Sequence, residues 1–134
     1  MSTSGSTVLY DTTVTSVGQM VEDFRQQGVV ILFDERAPEE LRDFAVIHAP
    51  TVTVSGPAPG DVVVLGDVQL PVLAVGAVVQ DNLMALGHLD LKADDRTEAA
   101  LPGDVCVPSG DLPLLVAGMR FQLLRPATSR GGTE

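Results

Sequence analysis

The sequence predicts an all-β fold, a closed or nearly closed small β-barrel with two or three short helices. Three observations carry that expectation. Short β-branched runs recur along the chain, each broken by Gly, Pro, Asn or Asp. Segments with helical spacing are few and short. The strands are also apolar enough that open edges would invite pairing with other chains, and closure removes those edges. The chain has 134 residues, 45% of them hydrophobic, only 4% aromatic and none Trp, so its core must be built from Val, Leu, Ile and Ala. That length suits one domain, expected over residues 7–125, able to bury roughly two thirds of its unfolded surface.

Residues 1–6 and 126–134 lack apolar periodicity, are rich in Ser, Thr and Gly, and read as disordered tails. Val8 to Val17 alternates loosely and forms the first expected strand. Gln19 to Gln27 places Met20, Val21 and Phe24 on one side and stops at Gly28, a C-cap residue. Val29 to Phe33 is a buried strand. Pro38 to Phe44 opens on a first-turn proline, with Glu39 and Glu40 where a helix N-terminus favours carboxylates. Ala45–His48 and Thr51–Val54 are two more strands, separated by Pro50. Asp61–Leu65 and Val68–Val75 form a hairpin through Gly66-Asp67, with Pro71 demoting part of the second strand to an edge or bulge. Gln80 to Leu86 is a third short helix ending at Gly87, and His88–Ala93, Asp104–Val107 and Met119–Leu124 complete the strands. The segment Pro59-Gly60-Asp61-Val62-Val63-Val64 resembles Pro102-Gly103-Asp104-Val105-Cys106-Val107. That spacing fits a duplicated strand–turn unit, and equally two unrelated turns sharing common turn chemistry.

Composition excludes several function classes. The net charge is −10 and the eight Lys and Arg are scattered, so no basic patch is available for nucleic acid or an anionic membrane surface. An acidic surface suits a basic protein partner. The single cysteine, Cys106, lies in an alternating apolar run and reads as core. One thiol allows no intrachain disulfide and fits a reducing compartment. The N-terminus lacks a signal-peptide layout, and no apolar run reaches the roughly 18 residues that span a bilayer, so a soluble, cytoplasmic protein is expected. No P-loop, dinucleotide fingerprint or G-x-S-x-G elbow occurs, and no cofactor is expected. His48 and His88 are the only histidines and share no ligand spacing, so no metal site is expected either.

His48 closes the apolar segment Phe44-Ala45-Val46-Ile47-His48. A neutral imidazole near pH 7 can attack phosphorus, and a phosphohistidine can pass the group on. Such transfer asks the protein for in-line positioning and for donors to the phosphoryl oxygens. A histidine at the end of a stiff strand is well held for this, and Ala49-Pro50 should interrupt pairing and leave the ring near a barrel rim. On spacing alone the favoured reading is a partly buried structural histidine satisfied by a backbone carbonyl. His88, after Gly87, can likewise be a ring at a helix C-terminus.

The ordered blocks Tyr10-Asp11-Thr12-Thr13-Val14-Thr15, FAVIH at 44–48, the Pro-Gly-Asp turn at 59–61, Gly66, PVLAVG at 71–76, Asn82-Leu83, Leu86-Gly87-His88 and Leu101-Pro102-Gly103 resemble the glucitol/sorbitol-specific enzyme IIA component of the bacterial phosphotransferase system. The resemblance runs from about Tyr10 to Arg125. It implies a β-barrel in which His48 is phosphorylated. The implied donor is the histidine-containing phosphocarrier HPr, and the implied acceptor is a cysteine on the IIB domain of a membrane polyol permease. It also raises the expectation that His88 donates a hydrogen bond to the transferring phosphate. HPr is expected to dock beside His48, with Glu39, Glu40 and Asp43 on the rim. Ala49-Pro50, Leu70 and the Lys92–Asp95 stretch depart from the family pattern, which bears on sugar specificity and partner match. The alternative function is an orphan regulatory or binding module of the same fold without a transport role.

Overall fold

The computed structural model describes residues 5–127. Nine strands and three short helices follow in the order β1 (Thr7–Val17), α1 (Val21–Gln26), β2 (Val29–Asp34), a 3-10 helix α2 (Glu39–Phe44), β3 (Val46–Thr53), β4 (Val62–Leu65), β5 (Val68–Pro71), β6 (Ala74–Val75), α3 (Val79–Leu86), β7 (Leu89–Ala93), β8 (Asp104–Val107) and β9 (Arg120–Arg125). They form one strongly curled sheet with strand order β5-β4-β9-β1-β3-β2-β7-β8-β6. The nearly closed all-β barrel expected from the sequence is what the chain builds. The tails expected at 1–6 and 126–134 fall largely outside the described residues.

Closure comes from the segment read as one strand, Val68–Val75. It is split, and the split has a physical purpose. Its first half pairs with β4 and its second half with β8. At the junction the Val72 N–H donates to Asp61 O and the Leu73 N–H donates to Cys106 O, both at 2.8 Å. The two ends of the strand order are therefore adjacent pieces of one chain.

The two strands expected at 45–48 and 51–54 are instead a single strand, β3. Pro50 does not stop it: Pro50 sits opposite Thr12 in the β1–β3 register, and β1 absorbs the irregularity with shifts at Asp11/Thr12 and Val14/Ser16. β2 and β3 run parallel, pairing Leu32 with Val46, Phe33 with Ile47 and Asp34 with His48. The connection between them, residues 35–45, contains α2, a 3-10 helix of six residues.

Alternation divides this region into two faces. Tyr10 and Val14 of β1, Leu32 of β2 and Val46 of β3 face the main core, with Val63, Leu65, Leu89, Leu91, Phe121 and Leu123. Phe33, Ala37, Ala45 and Ile47 face outward into a second cluster with Leu86. Cys106 is buried, and burial with the nearby Asp94 pushes its thiol up to about 11, so the core reading applies.

The two Pro-Gly-Asp segments fold alike. Asp61 accepts from the Ala58 N–H at 2.7 Å and Asp104 from the Leu101 N–H at 3.2 Å. Each buried carboxylate also meets a cation from a neighbouring strand, Arg125 at 2.9 Å and Lys92 at 3.1 Å. Shared Asp-turn chemistry explains the sequence similarity locally.

Candidate functional site

His48 lies on the core-facing side of β3, two residues after Val46. Its ring is 0% exposed. The expectation of a ring near the rim is therefore corrected, because β3 continues past Pro50 and keeps the histidine inside. Thr12, also fully buried, brings its Oγ1 to 2.7 Å from Nδ1, and the Gly87 carbonyl lies 2.8 Å from Nε2. A carbonyl can only accept, so Nε2 carries the proton and donates it. Nδ1 then keeps its lone pair and accepts from the Thr12 hydroxyl. Burial lowers the affinity of the ring for a second proton; the Gly87 bond and the Asp34 charge oppose this, and the net shift is downward. The imidazole is neutral at pH 7, the protonation state a nucleophile needs.

The neighbours come from two strands, β1 and β2, and one helix end. The Tyr10 ring meets His48 edge-on, with centroids 6.1 Å apart and planes at 72°. Asp34 is buried and paired with His48 across the parallel ladder. Burial alone would raise its carboxyl, but bonds from the Arg36 side chain and backbone outweigh that and hold it below the usual carboxylate range. The Arg36 guanidinium grips Asp34 through Nε, at 3.1 Å from Oδ1, and through Nη2, while its side chain remains 60% exposed. Gly87 ends α3 in the left-handed conformation at φ 60°. A Cβ there would lie 2.7 Å from Asp34 Cβ and 2.9 Å from His48 Cε1, so only glycine brings this carbonyl onto the ring.

His88 sits on the other side of that turn. Its ring stacks on the outward-facing Phe33 at 4.2 Å and 6°, and its Nε2–H donates to Asp90 at 3.0 Å. Among the described residues no hydrogen bond joins the two histidine rings. His88 reaches the His48 environment through the Gly87 backbone.

One polar atom stands out. The Tyr10 hydroxyl is buried without a hydrogen-bond partner, which costs about 1–3 kcal/mol. Burial and the Asp34 charge push its pKa above the ordinary phenol value, so it stays a donor. No local motif marks Thr12, Asp34, Arg36 or Gly87 as partners of His48, and Tyr10 and Thr12 stand out only as part of the Tyr10–Thr15 block. Strand parity was the available signal: Tyr10, Thr12 and Val14 share one face of β1, and Val46 and His48 share one face of β3.

Among the described residues there is no group of three or more His, Cys, Asp and Glu able to hold a metal ion, and no helix is long and apolar enough to cross a membrane.

A curled nine-stranded barrel enclosing a neutral, doubly hydrogen-bonded histidine is the arrangement to compare with known proteins. Residues 9–122 match the family described as PTS system glucitol/sorbitol-specific IIA component. The PTS system glucitol/sorbitol-specific EIIA components of Shigella flexneri and of Escherichia coli strain K12 are each 39% identical over 107 residues, covering 80% of this chain and 86% of theirs. The crystal structure of a PTS system IIA component from Enterococcus faecalis V583 superposes with a TM-score of 0.71 at 27% identity, covering 83% of this chain and 96% of that one. The chain belongs to the glucitol/sorbitol-specific IIA component family of the phosphotransferase system.

Proposed function

We propose that this protein is the phosphocarrier of a polyol-specific phosphotransferase system in the cytoplasm, and that His48 carries the phosphoryl group. The observation that supports this most is a neutral imidazole, held at both nitrogens, on a strand of a barrel that belongs to a PTS IIA family. Phosphohistidine on HPr is the donor. A lone pair of His48 attacks phosphorus as the donor's N–P bond breaks. Each imidazole keeps its remaining N–H, so no proton has to move. The group then passes to a cysteine thiolate on the IIB domain of the permease, and the His48–phosphorus bond breaks in turn.

The ring is covered in this structure, so acceptance requires the cover to part. The lone pair that attacks is on Nδ1, so the piece that has to give way is the Thr12 hydroxyl, which turns from the ring as phosphorus approaches. His88 has a place in this reading. Its stacking on Phe33 and its bond to Asp90 anchor the residue next to Gly87, and a direct bond to the phosphate would require the ring to leave both. For the docking partner, α2 presents Leu41 (37% exposed) and Phe44 (38%) among exposed Glu39, Glu40 and Asp43. An apolar patch with an acidic rim suits a basic partner.

The test is a chase. Protein labelled from phospho-HPr is mixed with the IIB domain of a polyol permease. Acid-labile label should appear on wild type, be absent from His48→Gln, and move to IIB. Label that persists on His48→Gln overturns the assignment.

A further inference from the structure

The His48 site lacks one thing that phosphoryl transfer needs, a set of donors for the phosphoryl oxygens. At rest the Thr12 hydroxyl is engaged with Nδ1, and the Gly87 carbonyl can only accept, so neither completes such a set. Asp34 sets a negative charge beside the ring and would repel a phosphoryl group. Yet the site holds a buried donor with nothing to donate to. Tyr10 is 0% exposed, its ring abuts His48, and its hydroxyl has no hydrogen-bond partner. An orphaned hydroxyl at this depth is a cost the fold would shed if Phe served as well. The charge on Asp34 is also balanced from one side only, by Arg36, which is anchored at the carboxylate and otherwise open to solvent. Among the described residues Arg36 is the one cation paired with Asp34; Arg25, Lys92, Arg96, Arg120 and Arg125 pair with Glu22, Asp104, Asp94, Asp11 and Asp61, and Arg42 donates to the Glu35 carbonyl.

Resting on the phosphocarrier reading above, we propose that the Tyr10 hydroxyl and the Arg36 guanidinium are the phosphoryl-oxygen-binding donors of the His48 site. When the His48–phosphorus bond forms, Tyr10 donates its O–H to one phosphoryl oxygen. Arg36 shares its fork between Asp34 and a second oxygen, so the carboxylate and the phosphoryl group face a common cation. The Tyr10 proton stays on oxygen throughout. Both residues contact the reacting group in the transition state, where charge on the oxygens develops.

Tyr10→Phe is an unusually clean probe, because it removes one oxygen that bonds to nothing. Its thermal midpoint should equal or exceed wild type. Phosphorylation is followed from phospho-HPr and separately from phosphoramidate, a small donor that needs no docking surface. Tyr10→Phe and Arg36→Gln should each slow acceptance at least about tenfold with both donors, which is the loss of one oxygen donor. Arg36→Lys should recover part of the rate, and the 31P resonance of the phosphohistidine should move in Tyr10→Phe. Wild-type rates with phosphoramidate for Tyr10→Phe or for Arg36→Gln overturn the proposal. A slow rate confined to phospho-HPr also overturns it, by assigning the residue to docking. Failure of the underlying reading looks different: His48→Gln would then accept phosphate as wild type does.

Discussion

At the scale of single residues, His48 does two jobs that pull against each other. It is a core residue, closed off by Thr12 and Gly87, and it is the nucleophile of the proposed reaction. Burial keeps the ring neutral, which favours attack, and it couples the ring to stability. The folded-state pKa lies below the unfolded value of about 6.5, so the unfolded chain binds a proton first as pH falls. Stability should therefore drop as pH goes down through about 6.5, by an amount absent from His48→Gln. Denaturant midpoints at pH 7.5 and 5.5 check this; equal pH dependence in the two proteins contradicts it. The same burial makes His48→Ala a poor control. It leaves a cavity and strands the Thr12 hydroxyl and the Gly87 carbonyl, at a cost of about 2–4 kcal/mol.

His48 was singled out by the ordered family blocks, FAVIH among them, because spacing alone favours a structural histidine. Its burial was not readable. Pro50 predicts a strand end, whereas β1 opposite it carries the register shifts that let β3 pass through. The partners of His48 lie at Tyr10, Thr12, Asp34 and Gly87. Only long-range pairing brings them together, and no local pattern announces that β2 and β3 run parallel.

Among the elements, the α3–β7 turn is the most exacting. Gly87 needs a positive φ and has no room for a Cβ against Asp34 and His48. Gly87→Ala should lose about 1–3 kcal/mol from backbone conformation alone and also move the ring, so NMR shifts of His48 should change along with stability. An Ala variant with wild-type stability and shifts would refute the role given to this turn. The two Asp turns were legible as similar sequences, and their similarity is now physical: each carboxylate caps its own turn and meets a cation of another strand. Asp61→Ala strands the Ala58 N–H and the Arg125 fork and should cost about 2–3 kcal/mol, read as a lowered denaturant midpoint. A loss below half that range would make the turn a passive connection. Helix positions were legible to within one or two residues from Gly28 and Gly87, and the 3-10 character of α2 was not, since its sequence carries good α-helix signals.

For the whole molecule, the fold class and its near-closure followed from the number of strands and turns and their apolar edges, while the segment that makes the closure did not. Val68–Val75 reads as one strand with a proline flaw, and its real function is to change partners from β4 to β8. The resulting barrel carries a net charge of −10, with acidic residues around the apolar α2 surface. Rim charges act mainly on association rate and are screened by salt. Charge reversal at Glu39 and Glu40 should therefore slow phosphorylation by HPr several-fold at low salt and little at high salt. A rate insensitive to both charge and salt would move the docking surface elsewhere. Asp43 is a weaker choice for the same experiment, because it receives the Gln19 side chain at 3.3 Å and packs beside Gly18.

The central claim, that this barrel carries a phosphoryl group on His48, is tested most directly by intact mass. Wild type and His48→Gln are each incubated with phosphoenolpyruvate, enzyme I and HPr, and their folding is confirmed under the same conditions. The account predicts one added phosphoryl group on wild type, lost on acid treatment, and none on His48→Gln. An unmodified wild type, or a modified His48→Gln, would contradict it.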